Sequence, residues 1–126
     1  MNKHILIIDD EPGIREVLGQ ALQVKGYRAT TAGSGAEALK LVGLGSFDLI
    51  ISDLQMEDTD GFDLISQLKE KVPNVPVILL TGMIFDSEVV QKKIQPLVSA
   101  YIDKTASLQR VTDEVERLLS RSAART

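Results

Sequence analysis

The chain has 126 residues, 44% hydrophobic and 25% charged, with a formal net charge of −4, the balance of one ordinary globular domain with a real core. An acidic chain lacks the basic face that sequence-independent binding of nucleic acid requires, and without cysteine it forms neither disulfides nor thiolate metal sites. Its first apolar run, Ile5 to Ile8, is shorter than the roughly 7–15 apolar residues of a signal-peptide core, and no stretch approaches the ~20 of a membrane span, so a cytoplasmic protein is the expectation.

Strand and helix patterns alternate five times, which is the signature of a doubly wound α/β domain with a parallel sheet. A first strand is expected over about 3–9, with His4 reading as an edge or satisfied surface histidine. The first helix follows over about 12–25, with Ile14, Val17, Leu18, Ala21 and Leu22 on one stripe, Pro12 in its first turn and Gly26 at its C-terminal cap. A short mixed strand covers 28–31. Ser34 and Glu37 form a capping box that opens a second helix over 35–44.

Residues 47–52 are nearly all apolar and make a central third strand. An acidic loop over 54–60 ends at Asp60, which caps a third helix whose Phe62, Ile65 and Leu68 face inward. Pro73 and Pro76 bracket the turn into a fourth strand over 77–81, and a short fourth helix over 87–94 is halted by Pro96. The fifth strand is expected over 99–102. A fifth helix begins near Ser107 and buries Leu108, Val111, Val115, Leu118 and Leu119. One domain thus occupies 1–120, and 121–126 is a polar tail that frays.

The chemistry lies at the carboxyl ends of these strands, which meet at one crevice in an open α/β sheet. They supply Asp9 and Asp10, then Asp53, Thr81 and Lys104. Three carboxylates there repel one another unless a cation sits among them, and oxygen-only ligands near a phosphate point to Mg²⁺. With a hydroxyl and an ammonium added, the set suits phosphoryl transfer, one carboxylate acting as nucleophile. Capping of the first helix by Asp9 and Asp10, a β-branched fit for Thr81 and a surface role for Lys104 are the plainer readings of each residue alone.

The chain resembles the receiver domains of bacterial two-component response regulators over nearly its whole length. The resemblance rests on Ile7-Ile8-Asp9-Asp10-Glu11-Pro12, on 47–56 with Asp53 within it, on Asp60-Gly61-Phe62, on 77–82 and on Tyr101-Ile102-Asp103-Lys104. It implies a flavodoxin-like sheet of order 2-1-3-4-5 with five helices. It implies further that Asp53 accepts a phosphoryl group from a sensor histidine kinase or histidine phosphotransfer protein. By the same resemblance, Asp9, Asp10, Asp53 and the backbone carbonyl of Gln55 hold Mg²⁺. Lys104 pairs with the carboxylate and its phosphate, while Thr81 and Tyr101 switch the face made by helix four, strand five and helix five.

An unidentified output partner and a phosphorylation-dependent pairing of two copies are expected, without nucleic-acid binding or turnover of external substrates. An aspartate-nucleophile phosphatase of the haloacid dehalogenase type is the enzymatic alternative, but its second acid would fall at Gln55. A receiver that binds partners without phosphorylation is another. The sequence departs from the family pattern at Glu57, at Met83-Ile84-Phe85, over 96–100 and at Thr105, where a proline usually follows the lysine. A cis bond before threonine would cost about 3 kcal/mol, so Lys104 is expected to be held differently or under strain. Met83 offers no hydrogen bond to a water attacking the phosphoryl group, which suggests a long phosphoryl lifetime.

Overall fold

Ile5, Leu6, Ile7 and Ile8 are apolar without alternation because the strand they form is covered on both faces. The structure, a computed structural model, describes residues 3–54, 61–82 and 86–124, with side chains of the last helix as far as 120. Its elements are β1 (His4–Ile8), α1 (Pro12–Val24), β2 (Arg28–Ala32), α2 (Gly35–Leu44), β3 (Leu49–Ser52) and α3 (Gly61–Lys71). They continue with β4 (Val77–Thr81), α4 (Ser87–Val89, prolonged by a π-helical turn, Val90–Ile94), β5 (Ala100–Asp103) and α5 (Leu108–Ala124). The strands form one parallel sheet of order β2-β1-β3-β4-β5, the doubly wound arrangement expected.

Because successive side chains on a strand point to opposite faces, each central strand feeds two cores. Ile5 and Ile7 of β1, Leu49 and Ile51 of β3 and Ile78 and Leu80 of β4 pack with Leu18 and Leu22 of α1 and with Val111, Val115, Leu118 and Leu119 of α5. On the other face Leu6, Ile8 and Ile50 meet Ala38 and Val42 of α2 and Leu64 and Leu68 of α3. A third cluster joins Leu54, Ile65, Leu79 and Ile94, with Phe62, Val90 and Tyr101 against it. Each fully buried Ile or Leu is worth about 1.5–3 kcal/mol, and this pattern fixes the register that brings the strand ends together.

Local signals behave as their chemistry dictates. Ser34 Oγ accepts from the Glu37 N–H at 3.1 Å while Glu37 Oε1 accepts from the Gly33 N–H at 2.7 Å, a reciprocal cap. Gly26, at φ +95°, closes α1 in a conformation that side chains disfavour, and Ser107 Oγ accepts from the Arg110 N–H to start α5. His4 is satisfied on both nitrogens, Nδ1 donating to the Ser46 carbonyl and Nε2 pairing with Thr30 Oγ1.

Four expectations need correction. Val17 and Leu108, assigned to buried stripes, are 47% and 42% exposed, because they sit at the rim of a shallow groove between α1 and α5 rather than beneath it. The fourth helix is α-helical for three residues only. Its i→i+5 bond from the Gln95 N–H to the Val90 carbonyl lets Ile94 reach the core, before Pro96 removes the next donor. β5 ends one residue later than expected, at Asp103. Where a polar tail is expected after Leu119, α5 continues to Ala124.

Candidate functional site

The register delivers the acids. Ile8 pairs with Ser52 as the last rung between β1 and β3, so Asp9 and Asp53 leave the ladder side by side. The Asp53 N–H is held by the Ile8 carbonyl at 3.2 Å and the Asp9 N–H by the Ala32 carbonyl at 3.1 Å. Thr81 pairs with Asp103, and its carbonyl accepts the Lys104 N–H at 3.0 Å, which ties the lysine backbone to the end of β4. Asp9, Asp53 and Thr81 are all buried, at 2%, 1% and 0% exposure.

Lys104, directly after the edge strand β5, joins the elements. Its ammonium lies 2.7 Å from Asp53 Oδ2, 3.0 Å from Asp9 Oδ2 and 2.7 Å from Glu11 Oε1. Burial works against its charge, but hydrogen bonds to Asp53, Glu11 and Asp9 outweigh that cost and hold the ammonium above its ordinary range. Burial also raises the Asp9 carboxyl, and the neighbouring Asp53 adds to this. The Glu11 N–H and Lys104 oppose the rise without cancelling it. The crevice therefore holds charge at a cost that a further cation relieves.

Carboxylate oxygens of Asp9, Asp10 and Glu11 lie within 4.8 Å of one another, an all-oxygen set that suits a hard divalent ion. Glu11 is the residue that sequence reasoning left without a role. Its side chain makes no cap for α1 and reaches Lys104 instead. The only hint in the sequence was its place directly after Asp9 and Asp10. Gln55, Glu57, Asp60 and the Met83–Ile84–Phe85 stretch lie outside the described residues.

The Lys104–Thr105 corner is held differently, one of the two outcomes expected. Among the described residues no peptide bond is cis. Asp103 Oδ1 accepts from the Thr105 N–H at 2.8 Å and from its hydroxyl at 2.6 Å, a turn that a proline at 105, having no N–H, could not make. Tyr101 is half-buried against the Leu54, Leu79 and Ile94 cluster, and burial, then Asp103, raises its phenol above the usual range. Asp9, Asp53, Glu11 and Lys104 thus meet through side chains, Asp10 stands beside them, and Tyr101 lies in the layer connecting Leu54 to the π-helical turn.

A family model for the response regulator receiver domain matches residues 5–116. Among curated proteins, the transcriptional regulatory protein GlrR of Escherichia coli is 38% identical over 117 residues, covering 90% of this chain and 26% of its own length. The probable transcriptional regulatory protein TcrX of Mycobacterium tuberculosis is 30% identical over 125 residues, covering 97% of this chain and 52% of its own. The chain thus spans about a quarter to a half of these relatives. The response regulator TrrA of Thermotoga maritima, solved in complex with Mg²⁺–BeF, superposes with a TM-score of 0.81 at 34% identity, over 92% of this chain and 98% of that one. A CheY-like receiver domain of Methanospirillum hungatei gives 0.92 over the full length of both chains at 24% identity, a likeness of fold.

Proposed function

The chain belongs to the response regulator receiver domain family, and from that premise we propose that Asp53 accepts a phosphoryl group from a phosphohistidine of a partner kinase or phosphotransfer protein. The observation that carries this reading is the Lys104 ammonium 2.7 Å from a carboxylate 1% exposed at the end of β3. An Asp53 oxygen attacks phosphorus, the P–N bond of the donor breaks as the P–O bond forms, and the leaving imidazole takes up a proton. Lys104 follows the charge from carboxylate to phosphoryl oxygen, and the buried Thr81 hydroxyl donates to another of those oxygens.

Asp9, Asp10 and Asp53 are the side chains that would hold Mg²⁺, with the Gln55 backbone carbonyl. The oxygen donors grouped around Asp9 fit that ion, and use of Mg²⁺ is supported by the similar receiver TrrA, solved in complex with Mg²⁺–BeF. Bound there, the ion neutralises phosphoryl oxygens that carboxylates alone would repel.

The readout is a population shift rather than a product. Leu54 follows Asp53 directly and packs in the cluster that holds Tyr101, Leu79 and Ile94, so packed side chains link Asp53 to the π-helical turn after α4 and to β5. The chain acts in the cytoplasm on an output domain or target still to be identified, with pairing of two copies once phosphorylated, and turns over no external phosphoester. Among the described residues no helix is long and apolar enough to cross a membrane.

The test is intact-mass analysis after incubation with a small phosphodonor and Mg²⁺. Wild type gains one phosphoryl group and Asp53→Asn gains none; equal labelling of both variants would refute the assignment.

A further inference from the structure

Asp9 leaves β1 with three groups to be fixed. Its N–H is taken by the Ala32 carbonyl of β2, and its carboxylate accepts from the Glu11 N–H at 2.9 Å and meets Lys104. Its carbonyl lies beyond the last rung with β3, since the Asp53 N–H goes to Ile8. That carbonyl accepts from Arg15 Nη1 at 2.7 Å. It belongs to the peptide joining Asp9 to Asp10, so whatever fixes its plane fixes the directions in which both carboxylates leave the backbone.

The guanidinium has a seat on its other side. A Cβ on Gly33, in the loop from β2 to α2, would stand 3.0 Å from Arg15 Nη1 and 3.3 Å from Cζ. Gly33 is not in the left-handed region, where among the described glycines only Gly26 lies, so its own backbone would accept alanine. The close approach of Arg15 is what makes glycine fit there. The seat itself is anchored, because the Gly33 N–H donates to Glu37 in the cap of α2.

We infer that Arg15 is a positioning residue for the acid pair, its guanidinium held between Gly33 and the Asp9 carbonyl so that Asp9 and Asp10 present their carboxylates to a divalent cation. The inference rests on the reading of those acids as a cation site. Outer partners that orient metal ligands are worth about 10–100-fold in affinity. Charge alone predicts the opposite sign, since a guanidinium beside the crevice repels a cation and its removal should tighten binding.

The experiment is a Mg²⁺ titration followed by amide NMR shifts of Asp10 and Asp53, with thermal midpoints in chelator as the check on folding. Arg15→Met should bind Mg²⁺ about tenfold more weakly, despite the lost positive charge, at an unchanged chelator midpoint. Gly33→Ala, which changes no charge, should give a smaller loss in the same direction, and that loss should vanish in the Arg15→Met background. Arg15→Lys, with one donor able to reach the carbonyl, should recover part of the affinity. Binding as tight as wild type in Arg15→Met, or a Gly33→Ala effect undiminished without Arg15, overturns the inference while leaving the cation site standing. A wild type with no Mg²⁺ response removes the cation site, and the inference with it.

Discussion

Replacing Lys104 by methionine tests the electrostatic logic of the crevice directly. The side chain is 14% exposed and neutralises Asp53 and Asp9, whose side chains are 1% and 3% exposed. Its third partner, Glu11, is 61% exposed, and that contact is worth at most about 1 kcal/mol. Removing one partner of a buried pair leaves an uncompensated charge and costs about 3–5 kcal/mol. For 126 residues this lowers the melting temperature by roughly 10–20 °C. The measurement is thermal unfolding followed by circular dichroism at pH 7 in chelator.

The pH dependence has a definite sign. Lys104 is raised above its ordinary value, so its contribution is fully present below the unfolded lysine value and is lost only as pH rises through the higher folded one; near neutrality it is flat. Asp9 is raised by burial despite the lysine, and without Lys104 it rises further. A carboxyl raised in the folded state favours folding once protonated, so the deficit of Lys104→Met should shrink as pH falls from 7 into the acid range. A variant within about 1 kcal/mol of wild type at pH 7, on the scale of an exposed ion pair, would refute the view that this ammonium neutralises the buried acids.

Two further outcomes follow from packing and burial. A Cβ on Gly61 would stand 2.5 Å from both the Cα and the carbonyl oxygen of Leu54, so Gly61→Ala should destabilise by about 1–3 kcal/mol, although alanine is the better helix former. Denaturant midpoints measure this, and a neutral or stabilised variant would contradict the close approach. The two tyrosines, Tyr27 and Tyr101, are both raised by burial, reinforced by Glu116 and Asp103 respectively. Phenolate absorbance of the native protein should therefore appear at higher pH than that of the unfolded chain, and their contribution to stability should fade as pH climbs beyond about 10; coincident titration curves would refute it.

The doubly wound order and most element bounds were legible because each depends on short-range patterns. The unbroken apolar runs of β1, β3 and β4 signal burial on both faces, and Ser34 with Glu37, Gly26 and Ser107 mark helix ends by local hydrogen bonding. The misassigned residues lie where neighbours decide. Val17 and Leu108 fall on helical stripes that are apolar in sequence, yet exposure depends on how far α1 stands from α5. The π-helical turn has no pattern of its own, because Ile94 is drawn into a core made by Leu54, Ile65 and Leu79.

The same division runs through the site. Groups that end strands are readable, since Asp9, Asp53 and Thr81 each follow or close an apolar run and the sheet topology brings such ends together. Lys104 was placed by its spacing, and the bonds from Asp103 to Thr105 that set its turn involve neighbours two residues apart. Glu11 and Arg15 follow no such rule. Glu11 meets Lys104 across 93 positions of sequence, and Arg15 depends on a glycine in a different loop. A crevice with three carboxylates on one ammonium and a fourth, Asp10, beside them needs its backbone held against mutual repulsion. Residues that do the holding act through main-chain atoms and through the absence of a side chain, and neither leaves a motif.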